Sequence, residues 1–175
     1  HWGGMISPVE VDGILVDAGA EAYAVRGGLA HALCTELGLE VAGPVGTPHI
    51  WWSDGSHPMA DGVLGIPGSL DDPALEVLTD TQRARLAEDL TMDPAVGSDA
   101  LTIGALAKAR LGEAAVSKLI GPVAEGIYAT TPDHLPLVAV APGLHDAIAA
   151  AVASGAPQSD GGPAPTALQV RGRRL

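Results

Sequence analysis

The sequence predicts an α+β chain: a short β region at the start, then a longer and mostly helical region. Three observations predict it. Asp12-Gly13 separates two apolar-rich runs, the signature of a tight hairpin. From Asp72 onward the apolar residues recur at helical spacing. The composition lacks Phe, holds only 3% aromatics and carries 23 Gly and 14 Pro, so the core is built from Ala, Val, Leu and Ile in short elements joined by turns.

Residues 4–11 and 14–18 read as the two strands of the hairpin, with one face of Ile14 and Val16 packing inward. A short helix follows from Gly27, with Leu29, Ala30, Leu33 and Leu37 in phase and Gly38 as its stop. Residues 40–70 are looser. Ile50, Trp51 and Trp52 lead into a turn at Ser53-Asp54-Gly55-Ser56, and short extended pieces run to Pro67-Gly68. Leu75, Leu78, Arg85, Leu86 and Leu90 mark one or two helices, with Thr79 or Asp80 as N-cap. A loop at 92–98 precedes a helix over 99–111, with Leu101, Ala105 and Leu106 on its apolar side, ended by Gly112. A further helix starts at Glu113, is broken or restarted at Pro122, and ends near Ile127, Tyr128 and Ala129 before Thr130-Thr131-Pro132. A last helix covers 144–153, and the Gly/Pro/Ser-rich tail reads as a flexible segment ending with three arginines.

A net charge of −12 argues against a nucleic-acid partner, because phosphate binding needs a basic face. Cys34 is the single cysteine and forms no internal disulfide, which makes a reducing cytoplasm the default. No secretory leader pattern is visible, and Pro142, Gly143, His145 and Asp146 break the longest apolar stretches short of a membrane span. There is no internal repeat. The six histidines lack metal-ligand spacing and read as surface or turn residues. Asp71-Asp72 reads as a helix start, and Cys34 as a core residue. No Ser-His-Asp set and no phosphate-binding Lys motif is present.

Gly3-Gly4 has two readings: an ordinary turn before a strand, or a backbone that lets a cofactor approach closely. Arg26, Lys108, Arg110 and Lys118 are the candidate partners for substrate carboxylates, since Arg pairs a carboxylate through two bonds. Arg110 and Lys118 also read as solvated helix charges. Gly126, Ile127, Tyr128 and Ala129 read, taken alone, as a helix end that packs in a core.

Gly3-Gly4, the hairpin, and then Val16-Asp17-Ala18-Gly19-Ala20-Glu21-Ala22 resemble the start of the porphyrinogen-oxidising flavoenzymes, a branch of the amine-oxidase-like FAD superfamily. Downstream, Arg110-Leu111-Gly112, Pro122, Gly126-Ile127-Tyr128-Ala129, Pro132, Leu135 and Pro142-Gly143-Leu144 match that family's pattern in the same order. Between them lie a Trp, Gly55, Pro58 and Gly65-Ile66-Pro67-Gly68, so the resemblance spans residues 2–150. It is nearest to the high-GC Gram-positive type. His1-Trp2 stands where the family has Arg-Leu, Thr130-Thr131 replaces Gly-Asp, and Pro136 replaces Ser.

The resemblance implies a fold of α+β or α/β type. Residues 1–19 would be edge strands of a Rossmann-like FAD domain and 20–40 a substrate-facing connector and helix. Residues 41–150 would form a mostly helical substrate-side domain with a short hairpin, before a tail at 151–175. It implies FAD near Gly3, Gly4, Met5, Gly19, Ala20, Glu21 and Ala22, and substrate near Arg26, Gly126, Ile127, Tyr128, Ala129 and Thr130. No metal site is expected, and no side chain stands out as a catalytic acid or base, so the catalytic residues stay unassigned. The implied reaction is the oxygen-dependent, six-electron aromatisation of coproporphyrinogen III or protoporphyrinogen IX in haem biosynthesis. The family's phosphate-binding turn is expected upstream of His1, so N- and C-terminal parts of the enzyme would be missing and the isolated piece inactive. Two other readings stand beside this one: a non-catalytic module that binds a tetrapyrrole or a protein, and another FAD amine-oxidase-like enzyme.

Overall fold

A computed structural model describes residues 4, 7–19, 22–23, 25 and 28–153. The chain divides into two compact units, His1–Gly46 and Thr47–Leu175.

In the first unit, β1 (Pro8–Val11) pairs antiparallel with β2 (Ile14–Asp17), Val11 opposite Ile14. Asp12 and Gly13 both take positive φ, 52° and 82°, as the hairpin turn with matching twist demands. The expected inward face is not found: Ile14, Leu15 and Val16 are all exposed. Among the described residues this is a two-stranded sheet, and two strands alone bury neither face. Helix α1 (Leu29–Glu36) ends at Gly38, φ +67°, where Leu39 N donates to Cys34 O at 2.9 Å. It buries no residue, and Cys34 is half-exposed rather than in a core. Local burial, then the Cys34 thiol, raises the Tyr23 phenol above its ordinary value. Its hydroxyl also lies 3.2 Å from His31 Nδ1.

The second unit holds the core. Strands β3 (His49–Trp52) and β4 (Gly55–Pro58) form a hairpin with Trp52 opposite Gly55. Alternation turns Ile50 toward the core and leaves Trp51 exposed. The next loop seats Leu64 and Ile66 in the core. Gly65, φ +79°, has no room for a Cβ, which would strike the Leu119 carbonyl. Asp72 caps the 3₁₀ turn Pro73–Val77 by accepting from Ala74 N at 3.0 Å. Thr79 and Gln82 form a reciprocal capping box at the start of helix α2 (Asp80–Ala87), which a second 3₁₀ turn, Glu88–Thr91, extends.

Helix α3 spans Ile103–Leu111, with Thr102 capping Ala105 N at 3.1 Å. Its start lies later than the sequence pattern predicts. Leu101 falls before the cap, where its carbonyl accepts from Leu137 N at 2.9 Å, and its side chain is exposed. Ala105 is exposed too, and the buried face is Ile103, Leu106, Ala107, Arg110 and Leu111. Gly112, φ +89°, ends the helix. Helix α4 (Glu113–Ala115), a π-helical stretch (Val116–Ile120) and helix α5 (Gly121–Tyr128) follow without a loop. Pro122 offers no N–H and its ring presses on the carbonyl four residues back. The wider π turn accommodates both, so the proline reshapes the helix rather than ending it. A 3₁₀ turn (Pro132–His134) leads to helices α6 (Leu137–Val140) and α7 (Pro142–Ala153). Among the described residues, no helix is long and apolar enough to cross a membrane.

Candidate functional site

Helix α5 delivers Gly126, Ile127, Tyr128, Ala129 and Thr130 to the surface. Val123 and Ala124 are its last buried residues. Beyond them Ile127 is 64% exposed and Tyr128 43%, so neither packs in a core. A Cβ on Gly126 would meet open space. Ala129 closes the helix in the left-handed conformation, φ 53°, its N–H donating to Glu125 O at 3.0 Å. Thr130 is half-buried. The result is a small apolar ledge with exposed backbone at its end.

The residues after the ledge lie on α3. Ile103 N donates to Leu135 O at 3.0 Å, and Thr102 bridges Pro136. Gly104 has no room for a Cβ against Asp133 and the Pro132 carbonyl carbon. Lys108 Nζ donates to Asp133 Oδ2 at 2.9 Å and lies 3.6 Å from Glu113. The hydrogen bond to Asp133, opposed by desolvation, holds the lysine above its ordinary value.

The other candidate cations do not gather at the ledge. Arg110 is neither a solvated helix charge nor a substrate contact. It is 2% exposed, its Nε donates to Asp89 Oδ1 at 2.5 Å, and its Nη1 donates to the Val96 carbonyl at 3.1 Å. Asp89 was not among the residues singled out from sequence. Arg110 follows Ile103 by seven residues on the buried face of α3, and that phase was the signal that it needed a buried partner. Lys118 donates to the Val77 carbonyl at 2.9 Å and to Gln82 Oε1 at 3.3 Å, tying α2 to the π stretch. Arg26 lies outside the described residues.

On the cofactor side, Gly4, Gly19 and Ala22 are exposed, while Gly3, Met5, Ala20 and Glu21 lie outside the described residues. Gly4 takes φ +52° with nothing within 4 Å of a would-be Cβ, so a ligand can approach its backbone. No Gly-x-Gly-x-x-Gly occurs in the given sequence. Among the described residues no group of three His, Cys, Asp or Glu is placed to hold a metal. A cleft of about 610 Å³ in the second unit is lined by Asp61, Asp71 and Asp72 beside Met59 and Pro73. Asp72 serves there as a cap, its Oδ2 also accepting from Gly68 N at 3.4 Å.

No family model matches the sequence. Curated proteins do. It is 30% identical over 145 residues to the coproporphyrinogen III oxidase of Bacillus subtilis (strain 168), covering 80% of this chain and 31% of the relative. It is 29% identical over 150 residues to that of Staphylococcus aureus (strain NCTC 8325 / PS 47), covering 82% and 32%. With the coproporphyrinogen III oxidase of Mycobacterium tuberculosis (strain ATCC 25618 / H37Rv) it shares 30% identity over 179 residues, 92% of this chain and 38% of the relative. A crystal structure from Exiguobacterium sp. 255-15, provisionally named a protoporphyrinogen oxidase, superposes with a TM-score of 0.66 at 26% identity, over 90% of this chain and 38% of that one. The chain therefore spans roughly a third of the length of the curated relatives it matches. In sequence and in fold, it is similar to the porphyrinogen oxidases over that third.

Proposed function

We propose that this chain carries the substrate-facing ledge and one edge of the flavin site of an oxygen-using, FAD-dependent porphyrinogen oxidase of haem biosynthesis, working in the cytoplasm. The substrate is coproporphyrinogen III or protoporphyrinogen IX. Support comes first from one observation: Gly126, Ile127, Tyr128 and Ala129, which carry the family resemblance, form an exposed apolar ledge instead of a core, with half-buried Thr130 at its edge. A flat tetrapyrrole needs such a surface, with apolar side chains under the ring and backbone close by. Ile127 and Tyr128 supply the apolar contact, and Thr130 narrows the approach where the family carries Gly. Arg26 is the candidate partner for a propionate.

The flavin, when bound, supplies the hydride acceptor and passes electrons on to oxygen. Gly3, Gly4 and Met5, with Gly19, Ala20, Glu21 and Ala22, would flank it through backbone. The chain's part in this reading is to orient the ring and keep water from its bridge carbons. Residues 1–19 belong to the flavin domain in this reading, 20–40 to the connector and 41–150 to the substrate side.

A second reading has its own support. It is a tetrapyrrole-binding module, and its support is that Ile127 and Tyr128 stand exposed on the second unit, which has a core of its own. Titration of the purified chain with FAD and with coproporphyrin III, followed by absorbance and fluorescence, separates the two. Binding of both supports the oxidase reading. Porphyrin binding without flavin supports the module. Binding of neither removes the ledge as a tetrapyrrole site.

A further inference from the structure

We propose that Gly104, Lys108 and Asp133 are positioning residues: together they fix the ledge, residues 126–130, by holding the turn that follows it on helix α3. The proposal rests on the reading of the ledge as the tetrapyrrole face. A ledge with exposed side chains is not located by its own packing, so its place depends on what precedes and follows it. Before it, α5 sets the direction through the Ala129 N–H to Glu125 O bond. After it, the turn Pro132–His134 rests directly on α3. A Cβ on Gly104 would lie 2.7 Å from Asp133 N and 2.8 Å from the Pro132 carbonyl carbon, both backbone atoms that cannot swing aside. One helical turn along the same face, Lys108 reaches Asp133 Oδ2 at 2.9 Å. Thr131 Oγ1 lies 3.1 Å from His134 Nδ1, which closes the turn on itself. A ligand ring is discriminated by sub-ångström placement of the surface beneath it, so this seat on α3 decides how the ring lies.

Gly104→Ala, Lys108→Met, Lys108→Arg and Asp133→Asn in the full 175-residue chain test it, by amide hydrogen exchange and by coproporphyrin III titration. Lys108→Met and Asp133→Asn should each speed exchange across 129–137 by about three-fold, the scale of a half-exposed ion pair. Gly104→Ala should speed it roughly ten-fold, the scale of an overpacked contact, with exchange in 113–124 unchanged. Each of the three should weaken porphyrin binding and move the Soret band of the bound porphyrin, and Lys108→Arg should restore both. Exchange at the wild-type rate in Gly104→Ala and Lys108→Met would overturn the seat. Faster exchange with an unmoved Soret band and unchanged affinity would overturn its positioning role, leaving a merely structural contact. If the wild-type chain binds no porphyrin, the tetrapyrrole reading fails while the exchange data still decide the seat. Should Gly104→Ala fail to fold, Lys108→Met and Asp133→Asn carry the comparison.

Discussion

Arg110 and Asp89 show how much one buried pair can demand. Both side chains are inside the core of the second unit, and Asp89 Oδ2 has no hydrogen-bond partner among the described residues. Removing one partner leaves an uncompensated charge in a low-dielectric interior, which costs several kcal/mol. Asp89→Ala is therefore expected to lower unfolding stability in urea by about 3–5 kcal/mol, while Asp89→Leu with Arg110→Met loses much less. A double variant no more stable than the single one would refute this. Lys108 makes the opposite kind of pair, on the surface and weak. Its protonated form is favoured in the fold, so the stabilisation is fully present below about pH 10.5 and is lost as pH rises through the raised value. The difference in Tm between wild type and Lys108→Met should stay constant from pH 6 to pH 9, within the neutral range where lysine is charged, and shrink above it.

Elements begin and end in this chain where short-range chemistry tells them to. Thr79 Oγ1 accepts from Gln82 N at 3.3 Å and Gln82 Oε1 accepts from Thr79 N at 3.0 Å. Thr79→Ala removes half of that exchange and should cost about 1 kcal/mol in thermal or urea unfolding. Gly65→Ala should cost more, about 2 kcal/mol or beyond, since it combines a left-handed φ with a Cβ set into the π stretch. Such local signals were legible in the sequence: Asp12-Gly13 as a hairpin turn, Thr79 as a cap, and Gly38 and Gly112 as helix stops. The exposure of residues 126–129 overturns their reading as a core-packed helix end, because apolar side chains at a helix end look alike in sequence whether they face a core or solvent. What could not be read was pairing between distant segments. The bonds joining 101–103 to 135–137 turn Leu101 outward, and no periodicity within 99–111 encodes them. Periodicity cannot place Arg110 for the same reason: its partner lies on another element, 21 residues away in sequence. At Pro122 the sequence marks a disturbance, but the choice between a break and a π turn depends on the core packed around it.

At the scale of the whole chain, burial is unevenly shared. The second unit gathers Leu75, Leu86, Ile103, Leu106, Leu119, Ile120 and Ile148 into one core. The first exposes Val9, Val11, Ile14, Leu15, Val16, Leu29, Leu33 and Leu37, on both faces of a two-stranded hairpin and along a helix of 8 residues. A lone hairpin and a short isolated helix are each marginal in water without an apolar partner surface. Measured by hydrogen exchange at low concentration, residues 8–17 and 29–36 should therefore exchange close to unprotected rates. Backbone amides of 107–111 and of 116–124 other than Pro122, held by helix bonds inside the core, should be slower by at least about a thousand-fold, the factor set by a few kcal/mol of stability. The contrast should survive mild urea until the core unfolds, because the first unit has little cooperative structure to lose. Strong protection of 8–17 that is independent of protein concentration would contradict this. Protection that grows with concentration would instead show a second copy covering the apolar faces.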